Sequence, residues 1–233
     1  MAVTAAVALG AAAAPPVALG TPKIAQLVAF KDGTFRQSEV KARKTHVKVG
    51  GRKCTVGSAT PLSALVLSDA PKVKLHDYGS CGSRARDSAS LFVRSIGGEP
   101  NKGTDGWVYK VGNRVATAGA ADPSGPFGNG RLKSGTRVTW FYCHMNVAKH
   151  SCQRTLGLTT EPGQDETLNV HVTAYDDRGK GKPAAHATVR AGDATQTTDK
   201  NGDATLVPGP GRFEVSATKT GFVRSFAEVV DIN

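Results

Sequence analysis

Aromatic residues are scarce in this chain, at 6% of positions, with two tryptophans and four tyrosines. A ligand site built on stacked rings therefore has few places to sit. Charge is missing altogether from residues 1–22. After that stretch no apolar run is long enough to cross a bilayer as a helix. The usual catalytic signatures are missing too. There is no Gly-x-Ser-x-Gly elbow, no His-Glu-x-x-His, no Gly-x-x-x-x-Gly-Lys phosphate cradle and no dinucleotide fingerprint ahead of a helix. Gly79-Ser80-Cys81-Gly82-Ser83 sets a thiol in a tight turn, but a nucleophilic Cys needs an activating base, and the six His are scattered. The expectation is a protein that is not an enzyme and carries no cofactor.

What the chain has in quantity is turn formers, 27 Gly and 12 Pro in 233 residues. Many short strands joined by tight turns follow from that composition, so the fold class is expected to be mainly β. Its length suits two small domains with real cores. Met1–Pro22, rich in Ala, Val, Leu and Gly and broken by Pro15-Pro16, reads as a secretory signal peptide without the usual basic start. A retained apolar anchor is the alternative. Secretion, or attachment to the cell envelope, is the expected location.

The net charge of +11 is unevenly spread. Residues 23–165 hold 22 Lys plus Arg against 10 Asp plus Glu, whereas 166–233 hold 8 against 9. A field confined to the first half concentrates acidic partners: an anionic envelope polymer, an extracellular glycan or protein, or extracellular nucleic acid. There is no run of five basic residues and no nucleic-acid-binding signature, so no specific nucleic acid is expected.

The four cysteines, Cys54, Cys81, Cys143 and Cys152, all fall in that basic half. Export makes disulfides their natural use, and three pairings are open. Cys143 and Cys152 are close enough to staple one hairpin, which favours 54–81 with 143–152. The rival reading is a metal site from Cys143, His144, His150 and Cys152. Against it, adjacent Cys and His on a strand point to opposite faces.

Ile24–Phe30, His46–Val49, Lys72–Tyr78 and Leu91–Ile96 read as strands. Thr60–Ser68 reads as the one clear helix: Thr60 suits an N-cap, Pro61 the first turn, and Leu62, Leu65 and Val66 share a face. Two further strands put Trp107, Tyr109 and Val111 on one face, and Val138, Trp140 and Tyr142 on another. Those aromatic positions, Trp107, Tyr109, Trp140 and Tyr142, are either core or a platform for a flat small ligand or a sugar ring.

The ordered series Ser-Ile-Gly-Gly, Gly-Trp-Val-Tyr-Lys-Val-Gly-Asn and Gly-x-x-Val-x-Trp-x-Tyr resembles the DUF4430 family, related to the C-terminal domain of transcobalamin. The resemblance covers about residues 24–160 and implies an α+β domain of β-grasp type with one principal helix, in a class whose transcobalamin relative covers one face of a corrinoid. The toroid that holds most of that corrinoid has no counterpart here, and 116–131 is a long Gly-rich excursion, so the ligand does not transfer.

Thr160–Asp165 reads as a linker, with 161–166 separating a domain at 23–160 from another at 167–233. The second half carries Gly-x-Pro-x-x-x-Ala-x-Val, Thr-x-Asp-x-x-Gly-x-Ala and Pro-Gly-x-Phe-x-Val-x-Ala-x-Lys-x-Gly. This series resembles the carboxypeptidase-regulatory-like, prealbumin-type Ig-like β-sandwich family, whose members act as spacers or as carbohydrate- and protein-binding units. Asp199–Asp203 superficially matches a Ca²⁺ loop, but its Gly comes early and the distal Glu is missing, so Asn201-Gly202 is read as a hairpin turn. The Lys–Asn crosslink of related surface domains is excluded because the strand Asn169–Ala174 has no Lys. The functional expectation is a non-enzymatic binding or adhesion protein for an acidic partner. The alternative is a small-ligand binder using the aromatic face.

Overall fold

The computed structural model describes residues 20–233, so residues 1–19 of the expected leader lie outside the described residues. Strands β1 (Lys23–Ala29) and β2 (Phe35–Lys41) form one hairpin, and β3 (Thr45–Val49) and β4 (Arg52–Val56) a second that turns at Gly50-Gly51. Helix α1 (Pro61–Leu67) starts where the sequence says it should. The Ser63 N–H donates to the Thr60 hydroxyl at 3.1 Å, and the Thr60 N–H donates to the Ser63 hydroxyl at 3.2 Å. This reciprocal cap satisfies two groups that a helix start otherwise leaves bare. Leu62, Ala64 and Leu65 then bury the helix in the first core.

Strands β5 (Lys74–Asp77), β6 (Leu91–Ile96) and β7 (Glu99–Pro100) make a small antiparallel sheet. Strands β8 (Gly106–Val111), β9 (Arg114–Val115) and β10 (Arg137–Cys143) complete the main sheet, in the order β2-β1-β10-β8-β9. In it β1 runs parallel to β10 and every other pairing is antiparallel. The first unit is thus a mixed sheet with one helix packed against it. Its register sets Trp140 opposite Tyr109 and Tyr142 opposite Trp107.

The second unit is all β. Strands β11 (Thr155–Pro162), β12 (Leu168–Tyr175), β13 (Gly181–Pro183), β14 (Thr188–Ala191), β15 (Ala194–Thr197), β16 (Asp203–Leu206), β17 (Gly211–Thr218) and β18 (Glu228–Ile232) divide between two sheets. One has β12 at its centre, with β11 on one edge and β13 and β16 sharing the other; the second runs β15-β14-β17-β18. Strict alternation on β12, with Leu168, Val170, Val172 and Ala174 inward, builds the core between them. The chain is mainly β throughout.

Two details of the expected organisation change. Residues 161–166 do not separate the units: β11 pairs with β12 from Thr155 to Pro162, so this stretch closes a hairpin inside the second unit, which therefore begins near Thr155. A polar, Pro-Gly-rich segment suits a hairpin end as well as a linker, and composition does not distinguish them. Asn201-Gly202 is a turn but closes no hairpin, because β15 pairs with β14 while β16 pairs with β12, so the turn carries the chain from one sheet to the other. Gly202 has φ +85°, and a Cβ there would lie 2.5 Å from the Val172 carbonyl oxygen. Only Gly fits that approach.

The main sheet is covered on both faces. Trp107, Tyr109, Val138, Trp140 and Tyr142 face the helix, while Ala29, Phe141 and Cys143 meet Val223 of the second unit. Polar contacts lock the seam. Gln37 and Ala227 exchange two hydrogen bonds of 2.8 Å, Arg137 forks onto Glu228, and the Val115 N–H donates to the Asp177 carbonyl at 2.9 Å.

Candidate functional site

The cysteines pair as 54–81 and 143–152, each with Cα atoms 5.2 Å apart. Both sulfurs of the Cys143, His144, His150 and Cys152 group are thus spent on each other. His144 instead sits 3.2 Å from the Asp105 carboxylate, and His150 is exposed on the adjoining turn. Among the described residues no three His, Cys, Asp or Glu side chains gather as a metal set.

Trp107, Tyr109, Trp140 and Tyr142 are all buried in the first core. They pack in cross-strand pairs, Tyr109 on Trp140 with centroids 4.9 Å apart and Trp107 edge-on to Tyr142 at 5.9 Å. Burial pushes the Tyr109 hydroxyl pKa well above its ordinary value, and that hydroxyl donates to the Ala118 carbonyl at 2.7 Å. The Trp107 indole N–H donates to the Glu99 carbonyl at 2.8 Å. Rings with their polar handles tied to backbone are structural, and they leave no open stacking face. Trp107 still contributes to the lining of one groove and Tyr142 to that of another, where Lys31 covers its ring.

The larger of those grooves, about 770 Å³, follows the seam between the units and is lined by Lys31, His144, His186, Lys219 and Arg224 among others. Its cations already have partners. The Lys31 ammonium lies 3.9 Å above the Tyr142 ring, Arg224 stacks 3.4 Å over Phe35, and Lys219 donates to the Ala185 carbonyl. Burial lowers the Arg224 pKa. The cleft reads as the joint of the two units.

Most of the charge without a carboxylate partner lies elsewhere on the first unit. Of the 22 Lys and Arg in 23–165, seven lie within 4.0 Å of a carboxylate: Lys23, Arg52, Arg84, Arg86, Lys110, Arg137 and Arg154. The remaining fifteen are exposed with no such partner among the described residues. On the β3–β4 hairpin Lys48 stands directly opposite Lys53. Like charges facing each other across strands cost stability, by about 0.2–1 kcal/mol. No acidic residue occurs between Glu39 and Asp69 to relieve them.

Beside this hairpin the outward face of the β5–β6 sheet carries an aromatic strip. Phe92 and Arg94 alternate with buried Leu91 and Val93, so both point to solvent, and His76 pairs across from Phe92. Tyr78 follows at the end of β5. Tyr78 is 73% exposed and Phe92 43%. The rings touch in sequence, His76 to Tyr78 at 4.4 Å and Tyr78 to Phe92 at 5.9 Å, with planes inclined by 65° and 60°. Together with Asn101, Thr104, Asp105 and the edge of Trp107 they line a groove of about 580 Å³.

The loop that presents Tyr78 is built rather than loose. Asp77 has a buried carboxylate that accepts from the Cys81 N–H at 3.0 Å, the Gly79 N–H at 3.1 Å, the Ser90 hydroxyl at 2.8 Å and the Arg52 guanidinium at 2.8 Å. These donors, the Cys81 N–H first, hold its pKa below the ordinary carboxylate value. The Cys54–Cys81 disulfide ties the same loop to the basic hairpin.

Compared with family models, curated proteins and solved structures, the chain matches none. Function therefore rests on this chain's own chemistry. Sequence reasoning passed over Tyr78 and Phe92 in favour of the tryptophans. The usable signal was present: Leu91-Phe92-Val93-Arg94 alternates with Phe92 on the Arg94 side, the polar one.

Proposed function

We propose that this is an exported, non-enzymatic binding protein. Its basic first unit holds an acidic polymer of the cell envelope or extracellular space, and its β-sandwich serves as a spacer or a second binding module. The observation that carries this reading is the set of fifteen exposed cations without carboxylate partners, with Lys48 facing Lys53. A protein that keeps like charges opposed on one ribbon sacrifices some stability for a field an anionic partner can neutralise. Two disulfides suit an oxidising compartment. Among the described residues no helix is long and apolar enough to cross a membrane. The resemblances to DUF4430 and to the carboxypeptidase-regulatory-like sandwich belong to this proposal as well. Two features support them: the paired aromatics of β8 and β10, and the two-sheet second unit.

The test is binding of the full chain to an immobilised polyanion at low salt and at about 0.5 M NaCl, where screening acts within a few ångströms. Affinity is expected to fall steeply with salt. Lys48→Ser/Lys53→Ser should weaken binding while leaving the fold as stable or slightly more so. Salt-independent binding, or no binding at low salt, would remove the reading.

A further inference from the structure

We propose that the groove beneath His76, Tyr78 and Phe92 is a binding site for the sugar rings of an acidic polysaccharide, with Arg94 taking the ring carboxylate. The proposal rests on the polyanion reading above and names the class of polymer. Its starting point is exposure in the wrong place for a core: in a chain so poor in aromatics, a Tyr at 73% and a Phe at 43% exposure lie side by side on one sheet face. A contiguous exposed apolar patch rimmed by polar groups marks a binding surface.

The geometry favours a sugar over a nucleic-acid base. A base is flat and stacks on a ring parallel to it, whereas these rings are inclined to one another by 60–65° and form a cupped surface. A pyranose chair, with C–H bonds along its faces, fits against such a cup. Thr104 and Asp105 also line the groove. Asp105 is kept ionised, first by the Met145 N–H at 2.9 Å and then by His144. A carboxylate accepts hydrogen bonds from sugar hydroxyls. On the Phe92 side, Arg94 has no carboxylate within 4.0 Å among the described residues, and its planar fork matches a carboxylate in two hydrogen bonds. The groove lining thus combines aromatic rings, a hydrogen-bond acceptor and a cation. An acidic sugar presents the complementary set.

The loop is also held in advance of any ligand. Asp77 and the Cys54–Cys81 disulfide fix Tyr78 in place, so little ordering remains to be done on binding.

The experiment compares three charged probes, with neutral dextran as a fourth, on the full chain at one low salt concentration. Polygalacturonate carries sugar rings and carboxylates, polyglutamate carries carboxylates without rings, and oligothymidylate carries bases and phosphates. Polygalacturonate is expected to bind tightest. Tyr78→Ala/Phe92→Ala should weaken it by about tenfold, as two lost ring contacts imply, with polyglutamate binding unchanged. Arg94→Gln should weaken polygalacturonate more than neutral dextran. All three side chains are exposed, so circular dichroism of the variants should match the wild type. Equal affinity of the double variant for polygalacturonate overturns the site while leaving the basic-surface reading intact. Oligothymidylate binding that exceeds polygalacturonate and is lost in the double variant overturns the choice of sugar. Failure of both polygalacturonate and polyglutamate to bind overturns both readings together.

Discussion

The ammonium group of Lys110 donates to the Asp176 backbone carbonyl at 3.0 Å, reaching from strand β8 of the first unit into the β12–β13 turn of the second. It also donates to the Tyr175 carbonyl at 3.2 Å and lies 3.6 Å from the Asp177 carboxylate. The side chain is 0% exposed, and burial lowers its pKa while Asp177 pulls it back up. Lys110→Ala should therefore lower stability by about 3–5 kcal/mol, because two backbone carbonyls and the Thr155 hydroxyl lose a donor and the Asp177 carboxylate loses its ion-pair partner. Urea unfolding should show one transition for the wild type and two for the variant. A single, unshifted transition in the variant would mean that the pin contributes nothing.

The two disulfides should differ in worth. A cross-link stabilises mainly by restricting the unfolded chain, more so for longer loops. Cys54–Cys81 spans 27 residues and Cys143–Cys152 spans 9. Removing the first by paired Ser substitution should cost about 3.5 kcal/mol and removing the second about 2.5 kcal/mol. Intact mass measured with and without reductant should rise by two hydrogens per bridge. A mass that does not change on reduction would contradict both pairings.

Acid should release the Tyr78 loop through Asp77. Its folded pKa is depressed by the Cys81 N–H, with smaller help from Ser90, Gly79 and Arg52. The stabilisation is therefore whole above the ordinary value of 3.8 and is lost as pH falls through the lower folded value. Asp77→Asn cannot ionise and should lack that step. Urea midpoints for wild type and variant should differ near neutral pH and converge once pH has fallen below the folded value. Midpoints that stay equally separated across the range would show that Asp77 does not govern the acid response.

Much of the fold was legible because local signals and burial agree. Thr60, Pro61 and Ser63 specify the start of α1 by chemistry confined to four residues, and alternation on β12 marks its inward face. What was not legible depends on which strand a segment finally meets. Asn201-Gly202 announces a turn, but nothing within it says that β15 and β16 belong to different sheets. The segment 161–166 likewise looks the same at a hairpin end as between domains. The four aromatics of β8 and β10 left core and platform both open in the sequence, and the structure buries them. Large aromatics attract attention as platforms, yet in a small core they are the cheapest means of filling volume. Lys110, the residue that joins the units, sits in an otherwise ordinary strand, and its burial appears only once Tyr175, Asp176 and Asp177 are brought over it.

Trp140 separates the two roles an aromatic can have here. It is 1% exposed, packs 4.9 Å from Tyr109, and its indole N–H has no hydrogen-bond partner. Trp140→Ala should cost about 3–5 kcal/mol by opening a cavity in the first core. Trp140→Phe should cost less, since the orphaned N–H leaves with the indole ring. Neither change touches the outward face of β5 and β6, so polygalacturonate affinity of the folded protein should be the same as in the wild type. Thermal unfolding and affinity would then move independently: core variants shift the first alone, and Tyr78 and Phe92 variants the second alone. A Trp140 variant that keeps its stability but loses ligand would restore the buried pair as a platform and displace the exposed one.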